Sequence, residues 1–290
     1  TLLTVADKGG DEWTLARSSL AAVMKRIFRP PAVSSFTSEQ SEDNTRLTLF
    51  SAIVAVSDWI GSQEEHFPAE DQVLPLESYV RHARRHAQSA LNDLQWETPA
   101  EMPELDFPQV FRFQPNPFQS QILDSLRQAP LPALAIIEGP MGVGKTEAAF
   151  AVYADWAKRS GTAGVYIAMP TTATSNQMHD RTKAFLSTQL GRQIEPMLVH
   201  SQALLRNLPD QNDPVEEKDH EGDAASGDSW FLPRRKSLLA PYGVGTVDQA
   251  LMSILQTKHF FVRLLGLSHK VVVFDEVHAY DAYMSELFER

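Results

Sequence analysis

The stretch LAIIEGPMGVGKTEAAF, residues 134 to 150, passes from a short apolar run through a glycine-rich turn into a helix-forming segment. Leu134-Ala135-Ile136-Ile137 predicts a strand, and residues 145 to 159 predict a helix. Between them, Gly139 to Thr146 fits the phosphate-binding pattern G-x-x-x-x-G-K-[ST], with the strand-before and helix-after context that the pattern requires. Gly139, Gly142 and Gly144 let the backbone turn tightly and aim its N–H groups at phosphate oxygens, while the helix N-terminus adds partial positive charge. Lys145 is then placed to reach the β and γ phosphates, and Thr146 to bind Mg2+ through its hydroxyl. Glu147 completes this candidate nucleotide-binding set, whose implied ligands are ATP and Mg2+.

Outward from the turn, further apolar runs at Val165 to Ala168, Met197 to Val199 and Val271 to Phe274 predict strands, with helices at 145 to 159, 173 to 190 and 246 to 257. Strands that alternate with helices predict an α/β fold, a parallel sheet with helices on both faces. The last of these runs ends in Asp275-Glu276-Val277-His278. In an open α/β sheet the ligand lies at the carboxyl ends of the strands, so two carboxylates arrive where the phosphate loop opens. Asp275 is the candidate Mg2+ holder, Glu276 the candidate base for the attacking water, and His278 the candidate sensor of the γ phosphate.

Upstream, Asn44 to Ser62 places Leu47, Phe50, Val54 and Trp59 at helical spacing and predicts a core helix, and Glu77 to Trp96 predicts a more polar one. Pro99, Pro103, Pro108, Pro115 and Pro117 follow, a cluster that neither a helix interior nor a central strand tolerates. A domain boundary is therefore expected over residues 98 to 112, with 1 to 97 before it and 113 to 290 after it.

With 290 residues, 43% of them hydrophobic, the chain is long enough for two modest domains. It has no cysteine, which excludes disulfides and thiolate metal sites and fits a cytoplasmic location. No run approaches the roughly 18 apolar residues of a membrane span, so no membrane partner is expected. The net charge of −11 confines any nucleic-acid contact to a local patch. Much of the acidity sits between Asp210 and Asp228, a run with almost no apolar residue that reads as a mobile insertion.

The segments between the two ATP-site motifs narrow the class. Phe118-Gln119-Ser120-Gln121 resembles the element in which superfamily 2 helicases carry a glutamine that reads the adenine edge, which makes Gln119 a candidate ATP contact. Met169-Pro170-Thr171-Thr172-Ala173-Thr174 resembles the helicase turn that holds a nucleic-acid backbone, and Gly245-Thr246-Val247-Asp248-Gln249 a second such element. Pro170, Thr171, Thr246, Asp248 and Gln249 are thus the candidate contacts to single-stranded DNA, of a kind that positions a strand without reading its sequence. Taken with LLAPYGVGTVDQALMSIL (238 to 255) and VVVFDEVHAYDAYMSELFER (271 to 290), in which Asp281 follows Tyr280, these motifs resemble the type I CRISPR-associated helicase-nuclease family. The resemblance implies a first RecA-like domain over 113 to 290, preceded by an all-α remnant of an HD-type domain.

That resemblance also implies a 3′-to-5′ ATP-driven DNA translocase and nuclease, recruited by an RNA-guided surveillance complex. Val56 to Ser62 (VSDWIGS) is similar to the last helix of the family's HD nuclease, in which the aspartate is a ligand for a divalent transition metal. By that carry-over Asp58 is a candidate metal ligand. The family's further histidines are missing upstream, because residues 1 to 44 contain none. His179-Asp180 lies on the wrong side of the phosphate loop for such a centre, and His82 and His86 stand among Arg81, Arg84 and Arg85 on a face expected to be solvated. The second RecA-like domain, which would supply arginines to the ATP site, is expected to be absent, leaving weak nucleotide binding and very low turnover. Two rival readings stay open: a DExH helicase outside CRISPR, and a non-catalytic fragment that docks on a partner.

Overall fold

The computed structural model describes residues 11–29, 41–68, 75–94, 96, 101–162, 164–199, 236–255 and 259–289. The acidic run from Asp210 to Asp228 lies outside them. The chain divides into two compact units, Thr1–Arg46 and Leu47–Arg290. In the first unit helix α1 (Asp11–Phe28) carries Lys25 and Arg26 in its last turn, the favourable end for cations.

The second unit is built on four parallel strands in the order β2-β3-β1-β4. These are β1 (Gly164–Met169), β2 (Met197–Val199), β3 (Tyr242–Thr246) and β4 (Lys270–Phe274). In the central strand β1, alternate residues serve opposite faces. Val165, Ile167 and Met169 pack on one side with Phe150, Tyr153, Met178, Phe185 and Leu186. These partners come from helices α6 (Lys145–Ser160) and α7 (Thr172–Leu190). Tyr166 and Ala168 pack on the other side with Leu238, Val247, Leu251, Tyr280 and Leu287. That side draws on α8 (Val247–Leu251) and α10 (Ala282–Glu289). Helices therefore cover both faces, as expected for a parallel sheet. The helix expected over 246 to 257 is correspondingly shorter, giving way to turns after Leu251.

Strand β3, YGVGT, was not expected, because two glycines in five residues hide a strand from any propensity argument. The glycines are there for Tyr166. A Cβ at Gly243 would come within 3.1 Å of its ring, and one at Gly245 within 2.6 Å of its hydroxyl. That hydroxyl donates to the Thr246 carbonyl at 3.0 Å, so a fully buried tyrosine is satisfied only because its neighbouring strand has no side chains in the way.

The converse correction concerns Leu134 to Ile137, which form no strand. Leu134 is 86% exposed and Ile136 79%. A strand exists by its ladder, and this run has none: β4 is the outer strand of the described sheet on that side.

Helices α2 (Ser41–Gly61) and α3 (Leu76–Asp93) form close to where the periodicity puts them. The buried stripe of α2 is Ala52, Val56 and Ile60, however, while Leu47, Phe50 and Val54 are exposed. The segment is apolar on nearly every side, so spacing alone does not select a face. From Leu47 onward these helices belong to the sheet-bearing unit, and Val56, Ile60, Ala90 and Leu94 cluster with Leu239, Ala240 and Val262. The last of these lies in α9 (Phe260–Leu267). The proline-rich stretch also packs down. Pro108 stands at the start of α4 (Phe107–Phe111), and Pro117 opens α5 (Pro117–Arg127). At those positions the missing N–H costs nothing. Met102 and Phe107 are buried, and Phe111 stacks on Phe185 at 5.9 Å.

Candidate nucleotide and nucleic-acid site

The phosphate loop is held from behind by α5. Asn116 caps that helix by accepting from the Gln119 N–H at 2.9 Å, while the Gln119 carboxamide oxygen accepts from the Asn116 N–H at 3.0 Å. This reciprocal capping box leaves both amide groups free to reach the loop. Asn116 Nδ2 donates to the Val143 carbonyl at 3.0 Å and Gln119 Nε2 to the Gly144 carbonyl at 3.1 Å. Gln119 is 1% exposed. The candidate adenine contact thus sits under the loop, with its oxygen and its nitrogen each already bonded within the chain.

Gly142 and Gly144 adopt φ of +76° and +89°, the region that costs any residue with a Cβ. A side chain at Gly144 would also run into the Gln119 amide. Lys145 Nζ donates to the Gly139 carbonyl at 2.8 Å and the Pro140 carbonyl at 3.1 Å, so the ammonium is held at the turn itself. Thr146 follows in the first turn of α6. Glu147, counted among the candidate nucleotide contacts, accepts from Arg181 of α7 at 2.6 Å.

The loop opens at the carboxyl edge of the sheet by topology. Helix α6 ends at Ser160 and β1 begins at Gly164, so the 16-residue helix returns to the amino ends of the strands and starts at the other edge. Asp275 lies at that same edge, directly after β4, and its N–H extends the ladder to the Ala168 carbonyl at 3.0 Å. Its Oδ1 accepts from the Glu276 N–H at 2.9 Å. Glu276 has φ of +52°, an uncommon conformation for a residue with a side chain. Glu276 and His278 are exposed, His278 in a 3-10 turn over Val277–Ala279. Tyr280 closes the turn by donating to the Asp275 carbonyl at 3.3 Å. Burial, and then the Asp275 charge, push its hydroxyl up to about 12, so it stays a donor at neutral pH. Asp281 Oδ1 accepts from the Met284 N–H at 2.8 Å and so starts α10.

The candidate nucleic-acid contacts divide. Met169 pairs with Thr246 in register, so Pro170-Thr171 after β1 and Thr246 at the end of β3 are neighbours on the carboxyl edge. Thr171 caps α7 in a box with Thr174, accepting from its N–H at 3.2 Å. Asp248 is exposed, whereas Gln249 is buried, donating to Asp248 at 2.8 Å and accepting from the buried Arg263 at 3.3 Å. Gln249 therefore braces the element from inside.

Asp58 is exposed on α2, and among the described residues no group of three His, Cys, Asp or Glu is placed to hold a metal. The described residues do not fit a nuclease metal centre. His86 packs on Phe67 at 6.1 Å, and His179 binds the Pro196 carbonyl at 2.8 Å, tying α7 to the loop before β2. Asn116 and Arg181 are site residues that sequence reasoning missed. Asn116-Pro117-Phe118-Gln119 does carry the signal of a cap, a first-turn proline and a capping glutamine, whereas no local signal marks Arg181 as a partner of Glu147.

No family model matches the chain. It is 37% identical over 284 residues to the CRISPR-associated endonuclease/helicase Cas3 of Thermus thermophilus, covering 96% of this chain and 31% of the relative. The crystal structure of T. fusca Cas3 with ATP superposes with a TM-score of 0.77 at 32% identity, over 96% of this chain and 31% of that one. A CRISPR RNA-guided surveillance complex in a pre-nicking state contains a chain that matches all of this one and 28% of itself, with a TM-score of 0.62 and 28% identity. The chain thus spans about a third of the length of the relatives it matches.

Proposed function

Because the chain is homologous to a Cas3 over 96% of its length, and so belongs to the CRISPR-associated helicase-nuclease family, we propose that it is the first ATP-binding half of that family's DExH-type DNA motor. In this reading it works as part of a 3′-to-5′ single-strand DNA translocase and nuclease serving an RNA-guided surveillance complex in the cytoplasm. Residues 113 to 290 are read as the RecA-like half and residues 1 to 97 as the remnant of the HD-type domain, a remnant whose helices from Leu47 onward pack into the sheet-bearing unit.

The observation that carries the reading is the seat of Lys145. Its ammonium is held on the Gly139 and Pro140 carbonyls, in a loop whose Gly142 and Gly144 are left-handed, at the same sheet edge as Asp275 and Glu276. A glycine-rich turn before a helix N-terminus, with one lysine ammonium, fits a triphosphate, and the Gln119 amide packed against Gly144 leaves no room there for a side chain. Mg2+, when bound, would supply positive charge against the phosphates. Lys145 draws the γ phosphate into the turn, and the Thr146 hydroxyl and the Asp275 carboxylate would hold the Mg2+. Glu276 takes the proton of the attacking water. Glu276 is exposed, with a left-handed backbone, so water has access to its carboxylate. His278 links the γ phosphate to the nucleic-acid side.

Thr171 and Thr246 hold the single-stranded backbone through hydroxyl and N–H groups, with the α7 N-terminus adding partial positive charge. Binding of a fluorescent oligothymidylate tests this part. The wild type is expected to prefer it to duplex of equal length, and Thr171→Glu to weaken it at least tenfold while ATP binding persists. Equal binding by wild type and variant would remove the DNA assignment and leave a nucleotide-binding fragment that docks on a partner.

A further inference from the structure

The Glu147 carboxylate lies in the first turn of the phosphate-loop helix, with Oε2 3.4 Å from the place a Gly144 Cβ would occupy. In that position an acid suits the helix N-terminus but repels a triphosphate. Its partner comes from another helix. Arg181 stands in the third turn of α7 and donates to Glu147 Oε1 at 2.6 Å, the Glu147 side chain being 22% exposed. About one turn further along each helix, Phe150 and Phe185 stack with centroids 4.6 Å apart and planes 8° from parallel. Helices α6 and α7 are thereby joined by two successive contacts, a rigid apolar one and, toward the phosphate loop, an ionic one. Thr171 stands at the N-cap of α7 and Gly144 at that of α6, so the two helix starts bear the two candidate binding elements.

We propose that Arg181 is a positioning residue which couples nucleic-acid occupancy at the start of α7 to nucleotide affinity at the phosphate loop. It does so by holding the Glu147 carboxylate turned aside and neutralised. A shift of α7 on binding a DNA backbone moves the guanidinium, and with it the carboxylate beside Gly144 of the phosphate loop. The inference rests on the function proposed above.

The test is a thermodynamic cycle on the full chain. The Kd of a fluorescent ATP analogue with Mg2+ is measured with and without saturating oligothymidylate, and the ratio of the two is the coupling factor. The wild type is expected to show a factor of about 5 or more. Arg181→Gln is expected to bring it close to 1, Arg181→Lys to retain part of it, and Glu147→Gln combined with Arg181→Gln to lose no more than the single Arg181 change. A ratio divides out any uniform loss of affinity, and retention by the lysine variant separates a positional role from a folding defect. If both ligands bind and Arg181→Gln keeps the wild-type factor, or if the wild type shows none, the coupling role is overturned. Absence of nucleotide binding in the wild type would overturn the motor reading itself, and this inference with it.

Discussion

Two loops meet at the carboxyl edge of the sheet, and they are held in opposite ways. The phosphate loop has no strand beneath it, since residues 133 to 140 join no ladder. It is shaped by a helix, with Asn116 and Gln119 of the α5 capping box bonding the Val143 and Gly144 carbonyls. The carboxylate turn grows directly out of β4, which pairs with β1 from Gly164↔Lys270 to Ala168↔Phe274. Its own strain, at Glu276, is restrained within the turn by the Asp275 carboxylate on the Glu276 N–H, by the Ala279 N–H on the Glu276 carbonyl, and by the Tyr280 hydroxyl on the Asp275 carbonyl. The amino end of β4 is pinned as well, by Lys270 Nζ donating to the Leu238 and Ala240 carbonyls at 2.5 and 2.6 Å. A helix cap can therefore do for one loop what a sheet does for another, and the two should fail differently when their supports are removed.

The largest effect is expected at Gly144→Ala. The change forces a side chain into a left-handed position, at about 1–2 kcal/mol, and into the Gln119 amide as well. Loss of both nucleotide affinity and thermal stability is expected, while an intact affinity would show that the loop does not depend on its cap. Next comes Gln119→Ala, which removes the reciprocal cap and a buried bond to the loop, about 1–3 kcal/mol in stability. If Gln119 acts by supporting the loop, ATP and GTP analogues weaken by the same factor; a loss confined to ATP would return it to reading adenine.

Tyr280→Phe should be milder and confined to the other loop. Losing one hydrogen bond at the Asp275 carbonyl, ~1 kcal/mol, should raise about fivefold the Mg2+ concentration that supports nucleotide binding, with thermal stability little changed. Lys270 is read as a pH dependence instead: its ammonium is enclosed, and burial lowers its pKa to about 7. Between pH 7 and the ordinary lysine value of 10.5 the unfolded chain holds a proton that the folded chain does not, so stability should rise with pH across that window. Lys270→Met should flatten this part of the pH–stability curve, measured by denaturant unfolding. A wild-type curve already flat there would place the ammonium in water.

Much of this site was legible because its chemistry is local in sequence. Gly139 to Thr146 and Asp275 to His278 are each recognisable as motifs within eight residues, and β1, β2, β4, α6 and α7 follow from apolar periodicity. What was hidden depends on contacts between distant residues. Gly243 and Gly245 leave room for Tyr166, nearly 80 residues earlier, and Gly245 also for Val199 of β2, contacts that no local pattern announces. Leu134 to Ile137 have strand composition without a ladder, and α2 has an apolar surface wider than the face it buries. Glu147 looks like a phosphate-loop neighbour until Arg181, 34 residues on, claims its carboxylate.

The central claim is that Lys145, seated on the loop carbonyls, receives a nucleotide triphosphate. Its most direct test is binding of a fluorescent ATP analogue with Mg2+ by wild type and Lys145→Ala, with circular dichroism to confirm that both are folded. Saturable binding by the wild type, weakened at least about 30-fold or ~2 kcal/mol in the variant, is the expected result. Equal binding by the two, or none by a folded wild type, would contradict it.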